Sequence, residues 1–227
     1  MGRAIEGIAR ERGHEVVSII TSANQSDFES EAFRSADVAI EFSVPSAALN
    51  NVEKAIAAGV AVVSGTTGWT DSLPQIKKLC DEGNATFLHS SNFSIGVNAF
   101  FALNKFMARI MNRFPQYDVE MKEIHHIHKL DHPSGTAITL ANGIIDNIDR
   151  KQSWSEQPAD QSALRIEAVR EGEVPGTHIV TYTSAEDRIT LSHEAFSRRG
   201  FALGSVVAAE WICGKKGWFT MNDIFDF

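Results

Sequence analysis

Cysteine is scarce in this sequence, and long apolar runs are missing. The 227 residues include only two cysteines, Cys80 and Cys213, and neither lies in a zinc-binding spacing. A disulfide framework and a structural zinc site are therefore not indicated, and we expect a reducing compartment. No run of about 18 apolar residues predicts a membrane-spanning helix. No charged and then apolar leader opens the sequence, so we expect a cytoplasmic protein without a membrane partner.

The charge balance is acidic, with a formal net charge of −8. This argues against nucleic acid as the main partner. Hydrophobic residues make up 43% and charged residues 22%, which is typical of a globular protein with one large or two modest domains. A local basic pocket for an anionic metabolite remains possible, built from His125, His126, Lys129, Arg198 and Arg199.

The first part of the chain alternates between short apolar strands and helices. We predict helices at Ala4–Arg12, from Pro45 to Gly59, and at Asp71–Glu82. We predict strands at His14–Thr21, Asp37–Ser43, Val60–Ser64 and Ala85–Leu88. Apolar strands separated by helices favour a parallel sheet covered on both faces, as in a doubly wound, Rossmann-like α/β domain.

The rhythm changes after residue 94. We predict long helices at Ile95–Phe114 and Ser134–Arg150, a strand at Tyr117–His126 between them, and a last helix at Phe201–Cys213. Three further strand-like runs, Ala163–Arg170, Thr177–Thr183 and Arg188–Ser192, are linked by short turns that suit an antiparallel sheet. We therefore expect residues 1–94 and 205–227 to form a dinucleotide-binding domain. Residues 95–204 would form an inserted α+β domain with a mostly antiparallel sheet for substrate binding and oligomerisation.

Polar and glycine-rich segments follow the predicted parallel strands. Ligands bind beyond the carboxyl ends of such strands. Here those ends supply small, hydroxyl and aromatic residues, namely Phe42, Ser43, Gly65, Thr66, Thr67, Ser90, Asn92 and Phe93. The glycine would let backbone approach a flat ligand, and an aromatic ring could stack on it. Together these segments favour a nucleotide site.

The most informative segment is Glu123–Ala137, which combines three kinds of chemistry. His125, His126 and His128 titrate near neutrality, and Lys129 adds a cation. The run Pro133-Ser134-Gly135-Thr136 predicts a turn that opens a helix, where backbone N–H groups and the helix dipole favour an anion. A proton donor, a cation and a carboxylate or phosphate site are thus expected side by side.

The residues of this segment alone also allow a structural role or a metal site. A single histidine is more often structural than catalytic, although a cluster with a lysine is harder to explain in that way. His126 and His128 have the spacing of two metal ligands on one face of a strand, which would suit a metal-dependent hydrolase. Lys129 argues against a metal, since an ammonium group repels a divalent cation.

The sequence resembles the 4-hydroxy-tetrahydrodipicolinate reductase family, the nicotinamide-dependent enzymes of lysine and diaminopimelate synthesis. Glu123–Ala137 matches the family pattern HHxxKxDxPSGTA, with His132 where alanine is commoner. The Gly65–Gly68 turn, the Asn92–Asn98 run, the segment from Gly172 to His178 and Arg198 match as well. The resemblance covers nearly the whole chain.

The resemblance implies a role for each matching residue. His125 would be the general acid that protonates the substrate after hydride transfer, and Lys129 would stabilise charge and assist. The substrate's carboxylates would be bound by His126, Ser134, Gly135 and Thr136, with Arg198 closing the site. Gly65, Thr67 and Phe93 would contact the nicotinamide of NADH or NADPH. The family also implies a homotetramer and a small dicarboxylate substrate.

The sequence departs from the family in two places. Gly2-Arg3 aligns with the end of the fingerprint G-x-G-x-x-G, so that Gly2 is its last glycine and the preceding strand is absent from the sequence. Both residues are still expected to contact the cofactor. Second, Thr21–Asn24 lacks the acidic residue expected after the second strand, which leaves the choice between NADH and NADPH open. A cofactor-deficient fragment of the reductase is therefore an alternative.

Overall fold

The structure is a computed structural model that describes residues 1–225 and divides into two compact units. One unit is Met1–Ile95 together with the segment from Arg199 onward, and the other is Gly96–Arg198. The predicted boundary at residue 204 would cut through a helix, Arg199–Ile212, which belongs as a whole to the first unit. The end of the predicted domain, residues 226–227, lies outside the described residues.

The N-terminal part of the first unit alternates helices and strands much as predicted. Pro45 begins one helix and fits there because its missing N–H would have no partner in the first turn. The elements are α1 (Gly2–Glu11), α2 (Glu31–Arg34), β1 (Val38–Glu41), α3 (Pro45–Ala57), β2 (Ala61–Ser64), α4 (Leu73–Asp81) and β3 (Thr86–His89).

The second unit is built on two long helices and a five-stranded sheet. Its elements are α5 (Ile95–Met111), β4 (Asp118–His125), α6 (Gly135–Ile145), β5 (Ser153–Ser155), β6 (Ala163–Arg170), β7 (Thr177–Thr183) and β8 (Arg188–Glu194). A core of buried apolar side chains from α5, α6 and the sheet includes Phe100, Leu140, Ile144, Ile166 and Tyr182.

The strand order of this sheet is β5-β6-β4-β7-β8, and the sheet is mixed. The antiparallel pairing expected for Ala163–Arg170 is wrong, because β4 lies between β6 and β7. β6 pairs in parallel with both β4 and β5, whereas β4–β7 and β7–β8 are antiparallel. The short turns after β6 suited an antiparallel sheet, and they could not show that an earlier strand, β4, lies between β6 and β7.

The chain then returns to the first unit through α7 (Arg199–Ile212), β9 (Gly217–Phe219) and α8 (Met221–Phe225). β9 extends a parallel sheet with the order β1-β2-β3-β9. Val62, Val63, Phe87 and Leu88 in its central strands are fully buried, as expected for a sheet covered on both faces. The doubly wound, Rossmann-like arrangement predicted from the sequence is confirmed.

The strand predicted at His14–Thr21 is not formed. Among the described residues no strand pairs with this segment, and a strand requires a neighbour for its N–H and C=O groups. Its apolar residues Val17 and Ile19 are exposed. The β-branched residues of this segment favour a strand, but without a neighbouring strand to pair with they do not form one.

No helix within residues 1–225 has the length and apolarity to cross a membrane.

Candidate active site

The register of three strands in the second unit brings together the residues of the candidate catalytic group. Side chains of β4 alternate between exposed and buried positions, so that Glu123 and His125 follow Val119 and Met121 on the buried side. The antiparallel pairing with β7 sets His178 opposite Glu123, and the parallel pairing with β6 sets Arg170 opposite His125. A carboxylate, two imidazoles and a guanidinium therefore converge.

Glu123 is the centre of this group and is fully buried. Its Oε1 accepts the backbone N–H of Ser134 at 2.9 Å and two Arg170 N–H groups at 3.3 Å each. Its Oε2 accepts the Ser134 hydroxyl. Burial alone would raise the pKa of Glu123, but the neighbouring His125 and the hydrogen bonds from Ser134 outweigh it and lower the pKa to about 2. Glu123 is therefore an anion at neutral pH.

His125 is the last residue of β4 and is only 6% exposed. Its Nδ1 lies 3.3 Å from Glu123 Oε2, an ion-pair distance. Its Nε2 faces Gly176, where a Cβ atom would lie only 3.0 Å away. Gly176 has a φ of +153°, a conformation that other residues rarely adopt. The glycine therefore leaves the Nε2 edge of His125 uncovered by a side chain.

His178 completes the buried group as a neutral base. Its Nε2 lies 3.3 Å from the Ser134 hydroxyl and 3.7 Å from Glu123 Oε2. Burial lowers the pKa of His178 to about 4, and the charge of His125 adds to this effect while Glu123 opposes it. At neutral pH the imidazole is uncharged, and its Nε2–H can donate to Ser134.

Lys129 lies in the loop that joins β4 to α6. Its Nζ is 2.7 Å from Asp131 Oδ1. Burial alone would raise the pKa of Asp131. The hydrogen bond and charge of Lys129, together with backbone N–H groups at Asp131 and Gly135, outweigh burial and lower this pKa. Arg170 donates to the carbonyl oxygens of Lys129 at 3.3 Å and Asp131 at 2.5 Å. The guanidinium thus ties the lysine loop to Glu123.

The expected anion site lies at the start of α6. Ser134 is the N-cap residue, and its hydroxyl accepts the N–H of Ala137 at 3.2 Å. Because Ser134 is buried and both its N–H and its hydroxyl bind Glu123, the direct substrate contact expected for it is not available in this structure. Gly135 is exposed and Thr136 half-buried, so both can meet an incoming carboxylate.

The remaining predicted substrate residues lie outside this buried group. His126 is half-buried, with its ring centroid 6.0 Å from that of His128. His128 is exposed and forms an ion pair with Glu173 at 3.1 Å. Arg198 is an exposed residue directly before α7.

The same buried group also places potential metal ligands close together. Within residues 1–225, one group of at least three potential ligands has its donor atoms within 4.8 Å of one another, namely Glu123, His125 and His178. Arg170 already provides a cation 3.3 Å from this carboxylate, which disfavours a metal ion. His126 and His128, the ligand pair considered from the sequence, do not belong to the group.

In the first unit, a cavity of about 280 Å³ lies at the carboxyl ends of β1 and β2 and at the start of α1. Its lining contains five of the predicted cofactor residues, namely Phe42, Ser43, Gly65, Thr66 and Thr67, with Met1 and Pro45. The volume suits one end of a dinucleotide rather than the whole molecule. The position beyond the strand ends and beside a helix N-terminus is where a pyridine nucleotide fits this fold.

Glu41 fixes the shape of this cavity. Its carboxylate accepts the hydroxyls of Ser64 at 2.6 Å and Thr66 at 2.9 Å, and Thr66 in turn accepts the N–H of Ser43 at 2.8 Å. A Cβ atom at Gly65 would lie 2.2 Å from the ring of Phe42, so only glycine permits this packing. Thr66 is thus buried as a structural residue, whereas Thr67 is exposed to a ligand.

The other predicted cofactor residues are not in the lining. Phe93 is 2% exposed and packs on Phe42 with ring centroids 5.7 Å apart, so its ring does not present a face to a ligand. Ser90 and Asn92 hydrogen bond to each other in the turn before α5. Gly2 and Arg3 are exposed in the first turn of α1, beside Met1 of the cavity.

Three members of the buried group had no assigned role in the sequence analysis, namely Glu123, Arg170 and His178. A signal for Glu123 was present, since a charged residue occupies an inward position of an alternating strand. His178 ends the family-like segment from Gly172, which carried no role for it, and Arg170 lies in a segment of ordinary strand composition. The pairing register places both beside Glu123 and His125.

Acid is expected to destabilise the second unit through His178. Its pKa of about 4 in the folded state lies below the ordinary value near 6.5, so the unfolded chain binds more protons between these pH values. The free energy of unfolding should fall by on the order of 3 kcal/mol as the pH falls through this window. Hydrogen exchange of the β4 and β7 amides in urea measures it. His178→Gln should flatten this dependence, and equal pH dependence in both proteins would contradict the assignment.

Comparison with known proteins identifies the family to which this chain belongs. The family described as "Dihydrodipicolinate reductase, N-terminus" matches residues 1–93, and "Dihydrodipicolinate reductase, C-terminus" matches residues 96–225. The chain belongs to the dihydrodipicolinate reductase family. The resemblance inferred from the histidine segment is thereby confirmed.

Individual reductases support the assignment to this family. The chain is 46% identical over 228 residues, 99% of its length and 93% of the relative's, to a 4-hydroxy-tetrahydrodipicolinate reductase of Christiangramia forsetii. It is 38% identical to that of Methanopyrus kandleri over 84% of its own length and 72% of the relative's. A solved dipicolinate-bound dihydrodipicolinate reductase from Paenisporosarcina sp. TG-14 has the same fold, with a TM-score of 0.76, 23% identity and coverage of 96% and 92%.

Proposed function

We propose that this chain reduces 4-hydroxy-tetrahydrodipicolinate to tetrahydrodipicolinate with NADH or NADPH, in the synthesis of lysine and diaminopimelate. The observation that supports this most strongly is the buried Glu123–His125 pair beside Lys129 and the start of α6, in a chain 46% identical to a reductase of that name. Substrate, reduced nucleotide and one proton give tetrahydrodipicolinate, oxidised nucleotide and water.

The chain's own residues supply binding and proton transfer in this proposal. When bound, the nicotinamide supplies the hydride. His125 delivers a proton from Nε2 to the substrate atom on which the electron pair develops, and Lys129 stabilises the negative charge. The backbone and hydroxyl of Gly135 and Thr136 bind a carboxylate, and His126 and Arg198 add cationic or donor groups near the substrate.

A coupled assay tests the reaction itself. The protein should oxidise NADH or NADPH, followed by absorbance of the reduced nicotinamide, only when the hydroxylated substrate is generated in the same mixture. Pyridine-2,6-dicarboxylate should inhibit competitively, since it is a planar mimic with two carboxylates. Nucleotide oxidation that does not depend on the substrate would contradict the proposal.

Thr136→Val should weaken inhibition by pyridine-2,6-dicarboxylate roughly tenfold or more, because a hydrogen bond to a charged group contributes about 1.5–3 kcal/mol. Thr139→Val is the matched control. Its hydroxyl lies on the same helix but donates to the carbonyl oxygen of Gly135 at 2.9 Å. An unchanged inhibition constant for Thr136→Val would remove this hydroxyl from the carboxylate site.

We further propose a homotetramer in the cytoplasm. The compartment is inferred from the scarcity of cysteine, since the sequence contains only Cys80 and Cys213. The tetramer rests on the family resemblance, and light scattering of the purified protein tests it directly.

A further inference from the structure

We propose that Glu123 is the positioning residue of the active site. Its carboxylate holds His125 with Nδ1 protonated and leaves Nε2 as the atom that gives up the proton. The inference rests on the proposed reductase function and adds a residue whose action is exerted through His125 rather than on the substrate.

The Glu123 carboxylate is held in one orientation. Oε1 accepts the Ser134 N–H and two Arg170 N–H groups, and Oε2 accepts the Ser134 hydroxyl. Rotation of the carboxylate would break several of these bonds inside a fully buried site. Oε2 is therefore fixed at its place 3.3 Å from His125 Nδ1.

A fixed anion decides which nitrogen of His125 keeps its hydrogen. An ionised carboxylate only accepts hydrogen bonds, so the nitrogen that faces it must carry a proton. Nδ1–H therefore stays in place throughout the reaction. The proton that moves to the substrate leaves Nε2, at the edge that Gly176 leaves uncovered by a side chain. The imidazolium thus becomes the neutral Nδ1–H tautomer without rotating.

His178 supports this arrangement because it is neutral. Its Nε2–H can donate to the Ser134 hydroxyl at 3.3 Å, which itself donates to Glu123. The ring of His178 meets that of His125 edge-on, with centroids 5.1 Å apart. Of the two imidazoles beside the buried anion, His178 thus stays uncharged at neutral pH, and His125 is the one whose Nδ1 lies 3.3 Å from the carboxylate.

Glu123→Gln tests the proposal because it keeps the shape and removes the charge. Arg170 and the Ser134 N–H require an acceptor at the Oε1 position, so the new amide N–H₂ would take the Oε2 position. There it would donate to His125 Nδ1 and favour the opposite tautomer. We expect kcat to fall roughly 10- to 100-fold with KM within about threefold, since the proton acts in the transition state. Glu120→Gln, at an exposed position of the same strand, should keep both values.

Nitrogen-15 NMR of labelled histidines supplies a readout that a merely structural role would not move. In the unchanged protein, neutral His125 should be protonated at Nδ1, and in Glu123→Gln it should be protonated at Nε2. Unaltered kcat and tautomer in a folded Glu123→Gln protein would overturn the proposal. If that variant does not fold, an Nε2–H tautomer in the unchanged protein overturns it and an Nδ1–H tautomer supports it. An unchanged protein that reduces no substrate would instead overturn the proposed function.

Discussion

Replacing His125 with alanine is expected to lower kcat roughly 10²-fold or more while KM changes little. A general acid acts mainly in the transition state, and its removal is felt in the chemical step. The structure gives His125 the surroundings of such an acid, with an anion at Nδ1 and a glycine, without a side chain, facing Nε2. Steady-state kinetics with the coupled assay measures the change.

Lys129→Ala should cause a comparable loss, because the charge that develops on the substrate would lose its cation. His128→Ala is the control for both variants. It removes an exposed imidazole from the same loop, which pairs with Glu173, and kcat should stay within about twofold. Changed KM with unchanged kcat in His125→Ala and Lys129→Ala would remove both residues from the chemistry. A large loss in His128→Ala would favour a metal site at His126 and His128.

Arg170→Met is expected to destabilise the second unit by about 3 kcal/mol or more. The substitution leaves Glu123 as a buried carboxylate without its cation, and breaking such a pair typically costs this much. It also removes the bonds to the carbonyl oxygens of Lys129 and Asp131. We therefore expect kcat to fall as well, because the lysine loop loses its anchor.

Hydrogen exchange of the β4 and β6 amides, recorded in increasing urea, measures the free energy of unfolding of the second unit. Arg165→Met provides the control, since it removes an arginine from an exposed position of the same strand. Its free energy of unfolding should stay within about 0.5 kcal/mol of the unchanged protein. Equal stability of Arg170→Met and Arg165→Met would show that Arg170 does not balance the buried charge.

The sequence was sufficient for the elements that carry the proton donor. The strand predicted at Tyr117–His126 is observed at Asp118–His125, and the turn predicted at Pro133–Thr136 opens the helix that begins at Gly135. Both signals are local, since they depend on the side chains of one element and on its first turn. The histidine segment could therefore be recognised as a site before its neighbours were known.

The environment of the proton donor depends on pairing between distant segments. His178 meets Glu123, and Arg170 meets His125, only through the registers of β7 and β6 against β4. The short turns suited an antiparallel sheet and carried no information on these registers, so Arg170 and His178 could not be given a role. The role of Ser134 could not be predicted either, since a serine at a helix start can bind a substrate carboxylate or a buried carboxylate side chain equally well.

In the first unit, strand propensity alone does not predict which segments form strands. His14–Thr21 has strand composition and forms no strand, whereas Gly217–Phe219, where no strand was predicted, pairs with β3. Phe93 has the aromatic side chain expected to contact a nicotinamide, and it is buried against Phe42. In each case the neighbouring part of the fold, rather than the residue type, decides whether a strand forms or a ring is buried.

A single-turnover reaction with reduced nucleotide that carries deuterium at both C4 positions of the nicotinamide tests the central claim most directly. The substrate would be 4-hydroxy-tetrahydrodipicolinate, and the product would be examined by mass spectrometry. The account predicts one deuterium in tetrahydrodipicolinate, with a much slower turnover in His125→Ala than in His128→Ala. Product without deuterium, or equal rates in the two variants, would contradict it.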